Sequence, residues 1–161
     1  MKLNLGCGTD IKPGYINIDV RKTVESVVVC DLTKPLPFLP ASVEEIFACD
    51  ILEHMSFRLI QTVLKDWFRV LQPGGKLFIQ SPHLFSMCTF ALSAKSVQER
   101  EKAIARFFGG QNYPENTHMT AIDEVVISHQ LKEAGFSNEM EFTAGNFGNR
   151  TNIRITIFKQ G

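Results

Sequence analysis

The chain has 161 residues, the size of one domain, and its composition excludes several classes of protein. Lysine plus arginine equals aspartate plus glutamate at 17 each, so no net charge attracts a polyanion, and an obligate nucleic-acid partner is not expected. No apolar run approaches the roughly 20 residues of a membrane span and no export signal is visible, so we expect a cytoplasmic protein without membrane attachment. The four cysteines lack the paired spacing of a zinc site, so we predict reduced thiols and no metal site.

The first half of the chain is typical of a parallel α/β sheet. Strands are predicted at 2–5, 16–20, 27–30 and 45–50, and apolar residues then recur at helical spacing between 59 and 71. Pro73-Gly74-Gly75 ends that helix, and a fifth strand follows at 76–80. Such strand-helix-strand units imply right-handed crossovers, and continuous apolar strands suit a sheet that is covered on both faces.

The second half is less regular. A helix is predicted at 96–108, closed by Gly109-Gly110, and a second helix follows a capping box at Thr120–Asp123 and ends at Ala134-Gly135-Phe136. The alternating segments 139–143 and 152–159, arranged around Gly145 and Gly148, predict a terminal β-hairpin. About seven strands and three or four helices result.

The strongest local signal is the turn that follows the first strand, Leu3-Asn4-Leu5-Gly6-Cys7-Gly8-Thr9. Glycine permits positive φ and lets a ligand approach the main chain, and the carboxyl ends of parallel strands are where open α/β sheets bind nucleotides. Asp19 ends the second strand, where a carboxylate can accept both hydrogen bonds of a ribose diol. The alternative is a plain glycine turn with an acid that closes a strand.

The type of ligand is narrowed by what these motifs lack. A dinucleotide fingerprint needs a third small residue where Ile11 stands, and an acid further along than Asp19. No phosphate-binding loop of the G-x-x-x-x-G-K-[ST] form is present either. A short oxidoreductase and a nucleoside triphosphatase are therefore disfavoured.

Taken together, the motifs resemble the class I S-adenosylmethionine-dependent methyltransferases, in particular small predicted enzymes of the type 11 kind. They occur in the order of that family: Leu3–Gly8, Pro13–Asp19, Cys30-Asp31-Leu32, Ile51-Leu52-Glu53-His54, Leu71–Leu77 and Ala134-Gly135-Phe136. The resemblance implies a single domain over 1–161 with a Rossmann-like, doubly wound, seven-stranded sheet. That sheet would be mostly parallel, with one antiparallel strand near its edge.

The resemblance also implies residue roles. The loop of Leu5, Gly6, Cys7 and Gly8 would lie against the methionine part of S-adenosylmethionine, and Asp19 would take the ribose hydroxyls. Asp31 with Leu32 would receive the adenine, which an acid and an apolar side chain suit chemically. Asp50, at the end of the fourth strand, would meet the cofactor's amino group or the acceptor.

Histidines supply the candidates for catalysis and substrate binding. His54 is a candidate general base, since a histidine titrates near neutrality, although Glu53 and His54 can instead cap a helix or satisfy each other. His83 and His118 bracket the segment 83–118, which we predict to form the acceptor site and a lid, with both histidines binding substrate. Alternatively, its aromatic residues complete the core or form a homo-oligomer contact.

Two functions remain open from the sequence. The first is methyl transfer from S-adenosylmethionine to a small molecule or an exposed group of a macromolecule. The alternative is a catalytically inactive module that holds the cofactor or a partner, because no covering helices precede the first strand and an uncovered site excludes water poorly. The Asn/Asp-Pro-Pro-aromatic motif of amino-methylating DNA enzymes is absent, so base methylation is not supported.

Overall fold

The computed structural model describes residues 1–137, 140–147 and 150–161. Within these residues the chain forms seven strands: β1 (Lys2–Leu5), β2 (Ile16–Asp19), β3 (Val28–Val29), β4 (Val43–Cys49), β5 (Leu71–Pro82), β6 (Met140–Phe147) and β7 (Arg150–Phe158). The same residues form four α-helices, which are α1 (Phe57–Val70), α2 (Leu84–Ser93), α3 (Val97–Phe108) and α4 (Glu124–Ala134). Short 3₁₀ helices cover Leu52–His54 and Pro114–Asn116.

The strands form one mixed sheet in the order β3-β2-β1-β4-β5-β7-β6. Strand β1 pairs in parallel with both β2 and β4, whereas β7 runs antiparallel to both β5 and β6. The predicted mostly parallel sheet with antiparallel pairing near one edge is confirmed. From β1 the chain proceeds outward to β3 and then returns to β4 on the other side. The carboxyl ends of β1 and β4 therefore flank the switch point at which open α/β sheets hold ligands.

The hydrophobic core lies between one face of this sheet and helices α1 and α4. Alternate strand residues such as Leu5, Ile46 and Leu77 point into it and are fully buried. Helix α1 starts after Ser56, whose side chain accepts a hydrogen bond from the Arg58 N–H, and buries the whole of Trp67. Each such large apolar side chain contributes about 1.5–3 kcal/mol by leaving water.

The opposite face is covered differently, because the connections between β1 and β2, between β2 and β3, and between β3 and β4 contain no α-helix. On that face Phe47 and Phe78 are half-buried and stack at 4.9 Å between ring centroids, with the Lys12 amine 4.0 Å from the Phe47 ring. The predicted cover of helices on both faces is therefore only partly present. The connections 6–15 and 20–27 are shorter than the roughly dozen residues that a helical crossover needs.

Buried asparagines hold the first of these short loops against the sheet. The Asn4 amide donates to the Asp10 carbonyl and to the Asn17 side-chain oxygen, both at 2.8 Å, and Asn17 in turn accepts from the Lys12 N–H at 2.9 Å. Backbone groups that a helix would pair internally are thus satisfied by side chains. The loop that follows β1 is fixed in place by this network.

Local boundaries differ from the sequence-based prediction at several points. Strand β5 begins at Leu71 and includes Pro73-Gly74-Gly75, with a register shift opposite Val43 and Glu45. Asp123, rather than Thr120, caps α4 by accepting the N–H groups of Val125 and Val126. Helix α2 was not predicted. The predicted hairpin is formed by β6 and β7, while Glu139 and Gly148 lie outside the described residues.

Candidate active site

A cavity of about 530 Å³ opens where β1, β2 and β4 end. Its wall combines apolar side chains with a few converging polar groups, which is typical of small-molecule sites. The residues that line it are Gly6, Gly8, Asp19, Val20, Arg21, Asp31, Leu32, Thr33, Asp50, Ile51, His54, Met55, Tyr113, Pro114, Glu115, Thr117 and Met119.

Six of the eight predicted cofactor-binding residues lie on this wall: Gly6, Gly8, Asp19, Asp31, Leu32 and Asp50. Leu5 and Cys7 do not line it, because their side chains are buried beneath the turn. Burial, reinforced by the nearby Asp19 carboxylate, raises the pKa of the Cys7 thiol to about 11. Cys7 therefore stays protonated and is not a nucleophile at neutral pH.

The two glycines of the turn have different surroundings, although both adopt positive φ, +67° at Gly6 and +50° at Gly8. A Cβ at Gly6 would lie 2.6 Å from side-chain carbons of Ile51, whereas one at Gly8 would meet nothing within 4 Å. Gly6 is therefore required for packing. Gly8 leaves open space at the cavity wall.

Asp19 is the most constrained carboxylate of the cavity. One of its oxygens accepts the Gly8 N–H at 2.8 Å and the other accepts the Arg21 N–H at 2.9 Å, and the residue is only 8% exposed. These hydrogen bonds fix the orientation of the carboxylate. Each oxygen has more than one acceptor direction, so a diol can be bound in addition.

Asp31 and Leu32 form the wall beyond Asp19. The Thr33 hydroxyl and N–H both donate to Asp31, at 2.6 and 2.9 Å, and these hydrogen bonds lower the pKa of the Asp31 carboxyl. Leu32 is buried and presents an apolar surface to the cavity. An acceptor thus lies next to an apolar face, a combination that suits a heteroaromatic ring.

Asp50 occupies an unusual backbone conformation, with φ of +52°. Such a conformation in a residue other than glycine costs energy and often marks a functional position. The Asp50 carboxylate accepts hydrogen bonds from the side-chain amides of Asn152 at 3.0 Å and Gln80 at 3.3 Å. Asn152 comes from the other end of the chain, so no local sequence signal connects it to Asp50.

His54 and His118 form a pair of half-buried imidazoles, with ring centroids 5.0 Å apart in an edge-on arrangement. The Nδ1 atom of His54 bonds to the Thr117 carbonyl at 3.2 Å, and that of His118 bonds to the Arg106 carbonyl at 3.0 Å. Burial is the main cause that lowers the pKa of both imidazoles below 6.5. Both rings are therefore neutral at pH 7.

A second cavity, of about 220 Å³, adjoins the first. Asp50 and His54 line both cavities and thus form a shared wall. Most residues that line the smaller cavity are of polar type, and those not yet named are Glu53, Pro82, Arg106, Asn116, His118, Thr151 and Asn152. The predicted substrate residue His118 lies here.

His83, the other predicted substrate residue, lines neither of these cavities. It is buried just before α2, with Nδ1 2.7 Å from the Ser86 hydroxyl and Nε2 2.7 Å from a Glu124 carboxylate oxygen. Both ring nitrogens are thus occupied by contacts that tie α2 to α4. These contacts indicate a structural role for His83, and its predicted substrate-binding role stays a prediction.

The part of the segment 83–118 that reaches the larger cavity is its end, where Tyr113, Pro114 and Glu115 line the wall. The Arg21 guanidinium stacks over the Tyr113 ring at 3.6 Å, which joins this end to the loop after β2. Sequence reasoning indicated the segment through its aromatic residues but missed Arg21, Ile51 and Met55. Ile51 belongs to the motif Ile51–His54, whereas only proximity to motif residues could have suggested Arg21 and Met55.

Comparison with known proteins gives one family match: residues 3–79 match the model of a methyltransferase domain. A sequence search of curated proteins gives no match. Among the described residues, no helix has both the length and the apolar character needed to cross a membrane.

Solved structures resemble the whole chain in fold. A SAM-dependent methyltransferase from Archaeoglobus fulgidus is 15% identical with a TM-score of 0.67, and the match covers 98% of this chain and 85% of that one. One from Methanosarcina mazei is 15% identical with a TM-score of 0.68, covering 99% and 92%. Phosphoethanolamine N-methyltransferase 2 of Haemonchus contortus, solved with S-adenosyl-L-methionine, is 15% identical with a TM-score of 0.62, and this chain spans 48% of its length.

Proposed function

We propose that this chain binds S-adenosylmethionine in the larger cavity and methylates an acceptor held in the smaller one, a function that the family match over residues 3–79 and the fold support. The observation that carries the proposal is a single wall on which Gly8, Asp19, Asp31 and Leu32 meet, next to Asp50 and His54.

The larger cavity fits the cofactor in size and chemistry. Its volume of about 530 Å³ lies within the range of about 300–1,000 Å³ for ligands of this size. Asp19 would accept the ribose hydroxyls, Asp31 and Leu32 would hold the adenine, and the backbone at Gly6 and Gly8 would face the methionine part. The similar Haemonchus contortus enzyme binds S-adenosyl-L-methionine, which supports this assignment.

When bound, S-adenosylmethionine would supply an electrophilic methyl group, which an acceptor atom would attack in line with the carbon–sulfur bond, with S-adenosylhomocysteine as the leaving group. The contribution of the chain is to hold the acceptor at the correct distance and angle, which alone provides much of the rate. The wall shared by the two cavities is where such an acceptor would meet the cofactor. Asp50, held by Gln80 and Asn152, would orient one side of it.

His54 is proposed as the general base. A carbonyl oxygen accepts hydrogen bonds and cannot donate them, so the contact with Thr117 places the proton of neutral His54 on Nδ1. Nε2 then carries the lone pair. Because burial lowers the pKa of His54, this base is present in its neutral form at pH 7 and is able to take an acceptor proton.

The acceptor is proposed to be a small polar molecule or an exposed group of a macromolecule, since the smaller cavity holds charged groups of both signs, Asp50, Glu53 and Arg106. The alternative function is cofactor binding without turnover. The two differ in one measurable way: only the enzyme moves a methyl group from the cofactor to a second molecule.

Calorimetric titration with S-adenosylmethionine and S-adenosylhomocysteine tests cofactor binding, and transfer of labelled methyl to the small-molecule and macromolecular fractions of a cell extract tests turnover. We expect both ligands to bind, and His54→Gln to keep binding while transfer falls by about a hundredfold or more. Binding without transfer in any fraction would favour the inactive module. Absence of binding would contradict the proposal.

A further inference from the structure

Three side chains that can ligate a metal converge at the smaller cavity. Glu53 and His54 belong to the 3₁₀ helix that follows β4, and His118 follows the other 3₁₀ helix. One ligand atom from each of these residues lies within 4.8 Å of the other two. A separation of more than 60 positions hides this grouping in the sequence, where the cysteine spacing alone predicts no metal site.

The hydrogen bonds of the two histidines fix which nitrogen is available. Both Nδ1 atoms contact backbone carbonyls, those of Thr117 and Arg106, so both carry their proton on Nδ1 in the neutral state. The lone pair of each ring is then on Nε2. Metal-ligating histidines almost always have this arrangement, with the second ring nitrogen donating to a carbonyl or carboxylate.

Glu53 supplies a carboxylate that is almost completely buried, at 1% exposure. One of its oxygens accepts the Ser81 hydroxyl at 2.8 Å, so the orientation of the carboxylate is set by β5. A hydrogen-bonded, oriented carboxylate beside two imidazoles is the usual condition of a metal ligand.

Backbone hydrogen bonds hold the two segments together. The N–H groups of Met119 and Thr120 both donate to the Glu53 carbonyl, at 2.7 and 3.2 Å, and the His118 N–H donates to the Phe108 carbonyl at 3.1 Å. Metal–ligand bonds of about 2.0–2.2 Å imply ligand atoms roughly 3.0–3.6 Å apart. Side-chain rotations that bring these atoms about 1–2 Å closer would reach this spacing, with the backbone already in position.

We propose that Glu53, His54 and His118 form a binding site for a divalent transition-metal ion, Zn²⁺ foremost, with one coordination position open to the smaller cavity. Two imidazoles, one carboxylate and an open position are the donor set of catalytic zinc and related sites. Because His54 also lines the larger cavity, a group in the open position lies beside the cofactor pocket.

A metal at this site would favour an oxygen atom as the methyl acceptor, a conclusion that rests on the proposed function. A hydroxyl or similar oxygen bound to the metal would have a lowered pKa and would release its proton to solvent. In the loaded protein His54 is then a ligand, and in the metal-free protein it is the base. Metal binding itself requires neither cofactor nor turnover.

The test uses the full chain without a histidine tag and without cofactor. Calorimetric titration with Zn²⁺ is expected to show one ion per chain, and Co²⁺ is expected to give the visible spectrum of nitrogen and oxygen ligation. His118→Gln and Glu53→Gln should each weaken binding by about tenfold or more, since even the loss of a group that only supports a metal ligand commonly costs that much. His129→Gln, on the exposed side of α4, is the matched control and should bind like the wild type.

A second measurement needs no variant, since the chain contains only four histidines. In imidazole NMR spectra, Zn²⁺ is expected to shift the ring signals of His54 and His118 and to leave those of His83 and His129 in place. The proposal is overturned if no stoichiometric binding occurs, if Co²⁺ shows thiolate charge transfer, or if His118→Gln binds like the wild type. A lack of methyl transfer, by contrast, would affect only the proposed function.

Discussion

The carboxylate of Asp19 is held by two backbone N–H groups before any ligand arrives. Asp19→Asn keeps the size of the side chain but replaces one carboxylate oxygen with an amide nitrogen and removes the negative charge. S-adenosylhomocysteine should therefore bind about 1.5–3 kcal/mol more weakly. Calorimetry measures this loss. Asp10→Asn changes an exposed acid that lies between β1 and β2 and does not line the cavity, so this variant should bind like the wild type. Equal weakening in both variants would remove the special role of Asp19.

Substitutions at the two glycines of the turn after β1 should affect the free energy of unfolding and the cofactor affinity differently. Gly6→Ala places a methyl group against Ile51 and should lower the free energy of unfolding by about 1–3 kcal/mol. Gly8→Ala meets no neighbouring atom, so its stability should fall by only about 1–2 kcal/mol, from the positive φ. Its cofactor affinity should drop sharply, because the new methyl group occupies ligand space. Urea unfolding and calorimetry give both quantities, and normal binding by Gly8→Ala would place the ligand elsewhere.

The buried imidazoles of His54 and His118 make stability depend on pH. Burial lowers the pKa of each below 6.5 in the folded state, so the unfolded chain binds protons more readily. The free energy of unfolding should therefore be highest above about pH 6.5 and fall as the pH decreases toward the folded-state pKa. Urea unfolding at about pH 7.5 and about pH 5.5 should show a smaller fall in the His54→Gln/His118→Gln double variant than in His129→Gln. An identical fall in both proteins would contradict the lowered pKa.

At the scale of elements, the segment that completes the larger cavity is the stretch around the second 3₁₀ helix. An isolated bridge between Gly109 and Thr117 closes this stretch at its base, and stacking of Arg21 on Tyr113 is a main contact at its tip. We predict that amides of residues 110–116 exchange with solvent faster than those of β4 in the free protein. S-adenosylhomocysteine should slow their exchange, and amides of β6 are the internal control. Protection equal to that of β4 without ligand, and unchanged with it, would make the segment a fixed wall.

Elements with a single clear period were predictable from the sequence. The apolar spacing of α1 and the alternation of β7 located both to within a few residues. Helix α2 was missed because its apolar residues surround the axis instead of forming one stripe, and Leu92 on it is 89% exposed. The cap of α4 was misplaced because Thr120 and Asp123 are both acceptable capping residues, and only tertiary packing selects between them.

At the scale of the whole molecule, local motifs located the larger cavity but could not reveal its partners. Gly6, Gly8, Asp19 and Asp31 each lie at or just after the end of a strand, so their meeting at one edge follows from a parallel sheet. The contacts of Asp50 with Asn152 and of His54 with His118 join segments that are far apart in sequence. No periodicity or short motif encodes such pairs. The anchoring of the short loops on the sheet face without crossover helices was also not predictable, because it depends on side-chain hydrogen bonds between separate segments.

A crystal structure of the protein with S-adenosylhomocysteine tests the central claim most directly. The account predicts that the ligand fills the cavity at the ends of β1, β2 and β4. Its ribose hydroxyls should lie within hydrogen-bond distance of the Asp19 carboxylate, and its adenine should lie against Leu32 beside Asp31. The sulfur should face the wall formed by Asp50 and His54. A ligand bound elsewhere, or one in this cavity that leaves Asp19 without a ribose contact, would contradict it.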